Sequence, residues 1–283
     1  STISFSKELP LFLYHCIRFY TMAKKKIGIY GTLESTANHK VEDLYIIVDH
    51  QSIHFSVKNI ESKKYVSFES FVNGSDVNGF AQLLAYLQNN SKLIHAIYHQ
   101  VHFVMNNSSV LISKDQKIKD NTIYQNELNL IFGNQEDQEL MVSSFQNNQV
   151  LISSIPDAYQ TLLTRAFPTG KWMHYVNAII NDAIEDGVYI YFFESYYIVL
   201  IIHHQSIQFL KYFEEAEDAQ NVYNILNICK HIHVDPNASS LYLKGYHAEY
   251  NQWAVELGNY FNKAMIEQAP EGYGDHFATY FIF

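Results

Sequence analysis

Three short strands followed by a helix occur twice in this 283-residue chain, about 142 residues apart. No other feature limits the fold as much. In the first copy, Asp43–Asp49 (DLYIIVD), Ile53–Lys58 (IHFSVK) and Tyr65–Phe71 (YVSFESF) are short strand-like runs separated by turn-prone His50-Gln51-Ser52 and Asn59–Lys64. Successive side chains of a strand face opposite ways, so such runs in close succession predict an antiparallel meander. Asn73-Gly74-Ser75-Asp76 ends in a helix-capping residue type, and Phe80, Leu83, Leu84 and Leu87 then recur at helical spacing, predicting a helix over 76–90. The second copy reads Val188–Phe193, Tyr197–His203 and Ile207–Phe213. The acidic loop Glu214–Asp218 follows, then a helix with Val222, Ile225, Leu226 and Cys229 on one face. Here Asp218 matches Asp76. A rival register sets Asp49–Phe55 (DHQSIHF) against His203–Phe209 (HHQSIQF), 154 residues apart, with five identical letters. It pairs the first turn of one copy with the second turn of the other. Element order is harder to reach by accident than five letters, so the spacing near 142 is preferred.

Between the copies, Val101–Met105 and Val110–Ser113 read as a hairpin around Asn106–Ser109, and Asn121–Leu130 as a helix. Gln149–Ile155 reads as a strand that passes through Pro156 into a helix over Ala158–Phe167, because proline suits the first helical turn. Trp172–Val176 is expected as a strand and Asn177–Glu185 as a helix stopped near Gly187. Beyond the second copy come a short strand, Leu241–Leu243, closed by Gly245, and a helix of roughly 247–264. The apolar run His276–Phe283 reads as a buried strand.

Composition closes several alternatives. Hydrophobic residues make up 48% and charged residues 17%, which excludes a disordered chain. The 22 tyrosines and 19 phenylalanines favour half-buried pleated surfaces. A net charge of −10, with Arg18 and Arg165 as the only arginines, disfavours nucleic acid as a partner. The apolar stretch Leu9–Tyr20 is too short to span a bilayer and carries His15 and Arg18, so no membrane span is expected. Cys16 and Cys229 lack metal-type spacing and fit the reduced thiols of a cytoplasmic protein. Met22-Ala23-Lys24-Lys25-Lys26 reads as an ordinary translation start, so residues 1–21 are expected to be an upstream extension or accessory segment.

A meander of three strands, a helix, a strand, a helix and a further strand is the order of the ribonuclease-H-like unit. Two such units in tandem resemble the actin-like ATPase superfold, an α/β architecture with mixed sheets. More closely, the chain resembles a bacterial family of unknown function with an actin-like fold, found mainly in Bacteroidetes. The likeness covers roughly residues 41–283. It rests on strand order, the Val150–Pro156 passage, the LYLKG segment Leu241–Gly245 and the aromatic C-terminus. The chain is similar, more distantly, to actin-like cytoplasmic components of pilus-assembly and type II secretion machines. The expected organisation is a lead-in over 1–40, a first unit over 41–186 and a second over 187–283.

In working actin-like ATPases the first hairpin turn of each unit carries an aspartate and a glycine. The glycine lets backbone N–H groups reach phosphates, and the aspartate helps hold the metal through water. Here Asp49 is present, but Gln51 stands where the first glycine is expected. The second turn, Glu194-Ser195-Tyr196-Tyr197, has neither residue and carries two bulky tyrosines. The nucleoside segment Leu243-Lys244-Gly245-Tyr246 keeps one glycine of a pair. The resemblance therefore implies the scaffold with an eroded nucleotide site, no catalytic residue and no cofactor. The alternative is an ATP-binding or ATP-hydrolysing enzyme using Asp49, with Ser52 and Gly245 at the nucleotide.

Other constellations read plainly. Adjacent residues of a strand point to opposite faces, so His203 and His204 are not expected to ligate one metal. His231 and His233 with Asp235 read as solvated helix-end residues, where imidazole suits the helix dipole. A GxSxG elbow and a GxxxxGK loop are both absent. The acidic run Glu214–Asp218 reads as a solvated helix start. The expectation is a non-catalytic scaffold acting through a protein partner, with homo-oligomerisation left open.

Overall fold

The computed structural model describes residues 24–30, 41–49, 52–72, 77–113, 120–134, 137–145, 149–249 and 251–283. The expectations for residues 1–21, His50, Gln51 and Asp76 lie outside these. In chain order the first strands are β1 (Lys24–Tyr30), β2 (Glu42–Val48), β3 (Ser52–Asn59) and β4 (Tyr65–Val72), followed by α1 (Val77–Asn90). Next come β5 (Gln100–Met105), β6 (Val110–Ser113), α2 (Asn121–Phe132), β7 (Gln138–Phe145) and β8 (Gln149–Pro156). Then follow α3 (Asp157–Ala166), β9 (Lys171–His174), α4 (Tyr175–Asp182), β10 (Gly187–Phe192), β11 (Tyr196–His203) and β12 (Ser206–Glu214). The chain continues through α5 (Asp218–His231), β13 (Ser240–Lys244), α6 (Gln252–Gly258) and β14 (Lys263–Glu267), and a 3-10 turn covers Asp275–Phe281.

These strands form two like sheets and a small third one. The first sheet has the order β1-β4-β3-β2-β5-β9 and the second β12-β11-β10-β13-β14. In each, three antiparallel meander strands are extended by two parallel strands beside the first. The copies start at residues 42, 52, 65 and 77 and at 187, 196, 206 and 218, in agreement with the preferred register. The small antiparallel sheet, β6-β8-β7, is inserted between β5 and β9 of the first sheet and carries α2.

The central strands of both large sheets are buried on both faces, which explains near-continuous apolar runs such as YIVLII. Leu44, Ile46, Phe55 and Phe71 pack under α1 and α3 with Leu83, Leu87 and Leu163. Val188, Ile190, Tyr197 and Val199 pack under α5 and α6 with Val222, Ile225 and Trp253. The opposite faces share one central core: Ile47, Phe68 and Val104 of the first sheet, Tyr191, Ile198 and Leu200 of the second, and Phe277 and Tyr280. Burying each such side chain stabilises by about 1.5–3 kcal/mol.

The structure differs from the sequence expectation in five places, one of them the strand Gln138–Phe145, where none was expected. Val101–Met105 and Val110–Ser113 are not a hairpin: Asn106–Ser109 carries the chain from the first sheet to the small one. The expected helix of 247–264 is the short α6, after which Lys263–Glu267 becomes the fifth strand of the second sheet. His276–Phe283 is therefore not a strand but mostly 3-10 turn, placed between the sheets. Finally, Lys24–Tyr30, where no strand was expected, pairs with β4 and is tied by Lys25 Nζ to the fully buried Glu69 at 2.5 Å. No helix among the described residues is long and apolar enough to cross a membrane.

Candidate functional site

Asp49 and Tyr196, which border the hairpin turns that flank the cleft of an actin-like ATPase, are hydrogen-bonded to each other here. Asp49, at the end of β2, is 7% exposed. Its Oδ1 accepts a hydrogen bond from the hydroxyl of Tyr196, at the start of β11, at 2.6 Å. Tyr280 of the C-terminal turn also hydrogen-bonds the Asp49 carboxylate. Asn106 extends the network: its Nδ2 donates to the Tyr196 hydroxyl at 2.6 Å, and its Oδ1 accepts from Tyr212 at 2.9 Å. Burial first, and the Asp49 charge second, push the Tyr196 and Tyr280 hydroxyls well above the usual tyrosine range, so both remain donors.

Ser52 and Gly245 converge on the same place. Ser52 Oγ pairs with His54 Nε2 at 2.7 Å and hydrogen-bonds Tyr280, whose ring stacks on His54 with centroids 3.8 Å apart. Gly245, just after β13, has φ +75°. A Cβ there would lie 2.8 Å from both the Phe192 carbonyl oxygen and Thr279 Cγ2, so this glycine serves the chain's own close packing. Asp49 and Ser52 thus both bond Tyr280, and Gly245 packs against the neighbouring Thr279.

A cavity of about 480 Å³ remains beside this knot. Lys26, Glu194, Glu215, Gly245, His247 and His276 line it, with Phe277 and Tyr280 as its apolar wall. Lys26 and Glu194 form an ion pair across it, tying β1 to the second hairpin turn. Burial lifts Glu215 above the usual carboxylate range, against a hydrogen bond from Asn251 Nδ2 at 2.7 Å. The rest of the acidic run is exposed at the start of α5, and Lys230 and His231 fill that helix's last turn.

The clamp between Tyr196 and Asp49 joins residues 147 positions apart, which no local pattern reveals. The available signal was two tyrosines where phosphate contact needs a glycine. Asp49→Ala is expected to lower stability by about 1–3 kcal/mol, because it removes the carboxylate acceptor of two buried tyrosine hydroxyls. Tyr196→Phe keeps the ring and should cost less. Urea denaturation of the three proteins checks the order; equal midpoints would mean that the clamp carries no energy.

A comparison with curated proteins finds no match. Among solved structures, a Bacteroides thetaiotaomicron protein described as having an actin-like ATPase fold and unknown function is similar with a TM-score of 0.69 at 15% identity, over 81% of this chain and 91% of that one. A type IV pilus biogenesis complex, PilM–PilN, is similar with a TM-score of 0.58 at 10% identity, over 85% of this chain and 96% of that one. These likenesses and the paired sheets establish the actin-like ATPase fold. The family described as a protein of unknown function, DUF3822, matches residues 33–264, most of the chain, and this protein belongs to it.

Proposed function

We propose that this protein is a non-catalytic, actin-like-fold scaffold that acts through contacts with a protein partner. The observation that carries the reading is the Tyr196–Asp49 hydrogen bond, closed over by Tyr280. A nucleotide in the family's manner needs both turns free to present backbone donors to phosphates. Here Asp49, beside the first turn, is held by Tyr196 of the second hairpin and by Tyr280 of the C-terminal turn. A net charge of −10 supports the same reading, since compensation by side-chain cations is weak. The two units, 41–186 and 187–283 with their lead-in over 1–40, then serve as a rigid frame in the cytoplasm, a setting that the buried free thiol of Cys229 suits. The solved PilM–PilN assembly is a precedent for a protein of this fold in a complex, and it motivates the partner in this proposal.

The test is a thermal melt with millimolar Mg-ATP. No shift is expected. Ligand at about 100 times its Kd would add about 2.7 kcal/mol of stability, which a melt detects readily. A clear rise with Mg-ATP that disappears in Asp49→Asn would overturn the proposal in favour of the nucleotide-binding alternative.

A further inference from the structure

We propose that the turn between β11 and β12 holds a zinc-class divalent transition-metal ion between Asp186, His203 and His204. Strand alternation argues against two adjacent histidines sharing a ligand, and the structure departs from it for a definite reason. His203 is the last residue of β11, and the chain then turns through His204 and Gln205 at φ +52° and +57°. Two left-handed residues in a two-residue loop make the tight reversal of a hairpin. That reversal swings the His204 ring round beside His203, with centroids 3.9 Å apart.

Asp186, just before β10, completes the group. Its carboxylate accepts the backbone N–H groups of His204 at 2.6 Å and Gln205 at 2.9 Å, so it is held in place by the turn that carries the imidazoles. His203 Nδ1 lies 3.8 Å from Asp186 Oδ2. One ligand atom from each of the three residues lies within 4.8 Å of the other two. Among the described residues, no other cluster of histidine, cysteine and carboxylate side chains reaches that proximity. Side chains at this separation close to coordination distance by small rotations, because Asp186 and His204 are exposed and His203 is partly so.

The donor set selects the ion. Two imidazoles and one carboxylate suit zinc, and next to it cobalt, nickel or copper, whereas magnesium and calcium prefer all-oxygen shells. Three protein ligands leave a position for water. The role that follows is a staple, joining the entry of β10 to the β11–β12 turn. Along β11 the site is roughly 23 Å from Tyr196, at about 3.3 Å per residue. It is therefore independent of the cleft and of the function proposed above.

The experiment is a calorimetric titration of zinc chloride into untagged, chelator-treated protein, with cobalt absorption as the second readout. One ion per chain is expected, together with a higher Tm at equimolar zinc. His203→Gln and His204→Gln should each weaken binding by at least about tenfold, while a His231→Gln/His233→Gln protein binds as the wild type does. Absence of stoichiometric zinc binding by the wild type would overturn the proposal. So would binding that survives in the His203→Gln/His204→Gln double variant, whichever histidines then hold the ion.

Discussion

Removal of residues 275–283 is expected to leave a protein that does not fold. Phe277, Ala278, Thr279 and Tyr280 are each at most 4% exposed, and Phe281, Ile282 and Phe283 pack against the same central core. Burying one large side chain is worth about 1.5–3 kcal/mol, so two buried rings and three partly buried residues approach a domain's whole stability of about 5–15 kcal/mol. Polar losses come on top. Ser56 Oγ donates to the Tyr280 carbonyl at 2.9 Å, and Tyr65 donates to the Phe283 carbonyl at 2.8 Å. Tyr175 donates to the Thr279 carbonyl from a fully buried position. Deletion would also open Phe68, which meets Phe277 with ring centroids 5.1 Å apart, to water. Solubility and far-UV circular dichroism of the truncated chain provide the measurement, and Phe277→Ala gives a graded version, expected to cost about 3–5 kcal/mol. A soluble truncation with an unchanged Tm would show that the segment is dispensable.

How far the sequence reveals this molecule depends on the range of the interactions. Both meanders were legible because each is local and its strands carry apolar runs bounded by turn residues. The C-terminal segment was not, since HFATYFIF is apolar without a period, and a buried strand and a buried 3-10 turn look alike in such a run. Lys263–Glu267 and Lys24–Tyr30 escaped for the opposite reason. They are edge strands with exposed residues, so their sequences lack the apolar signature of a core. Asn106 read as a hairpin turn residue, yet it hydrogen-bonds two tyrosines of the second sheet. At the cleft, the resemblance pointed to Asp49, Ser52 and Gly245, and all three meet the C-terminal turn, at Tyr280 or Thr279. That Tyr196 and Tyr280 occupy the cleft was not legible, because those contacts bridge 147 residues or more.

Stability should also fall as the pH drops from 7.5 to 5, and two buried histidines set the direction. Burial, with a smaller contribution from Lys26, holds His54 down to about 3. Burial holds His174 down to about 4, against the Asn107 carbonyl. The geometry explains why neither welcomes a second proton. His54 Nδ1 has no hydrogen-bond partner among the described residues, and His174 Nδ1 accepts the Val176 N–H at 3.2 Å as the cap of α4. In the unfolded chain both titrate near 6.5. Below that value the unfolded state binds more protons than the folded one, so stability is complete above 6.5 and is lost as pH falls towards the folded values. Each group contributes about 1.4 kcal/mol per pH unit once well below 6.5, which gives about 3–4 kcal/mol for the pair at pH 5. The net charge of −10 shrinks over the same range, which relieves self-repulsion and favours folding, so a loss of stability reflects imidazoles that burial keeps neutral. His102 and His276, which burial also lowers, act in the same direction as His54 and His174. Urea denaturation at intervals between pH 7.5 and 5 provides the measurement. His174→Asn keeps a good capping acceptor and removes one titration, so its pH slope near pH 5 should be shallower by about 1 kcal/mol per unit. A wild-type stability independent of pH in this range, or an unchanged slope in His174→Asn, would show that these imidazoles accept protons within the folded protein.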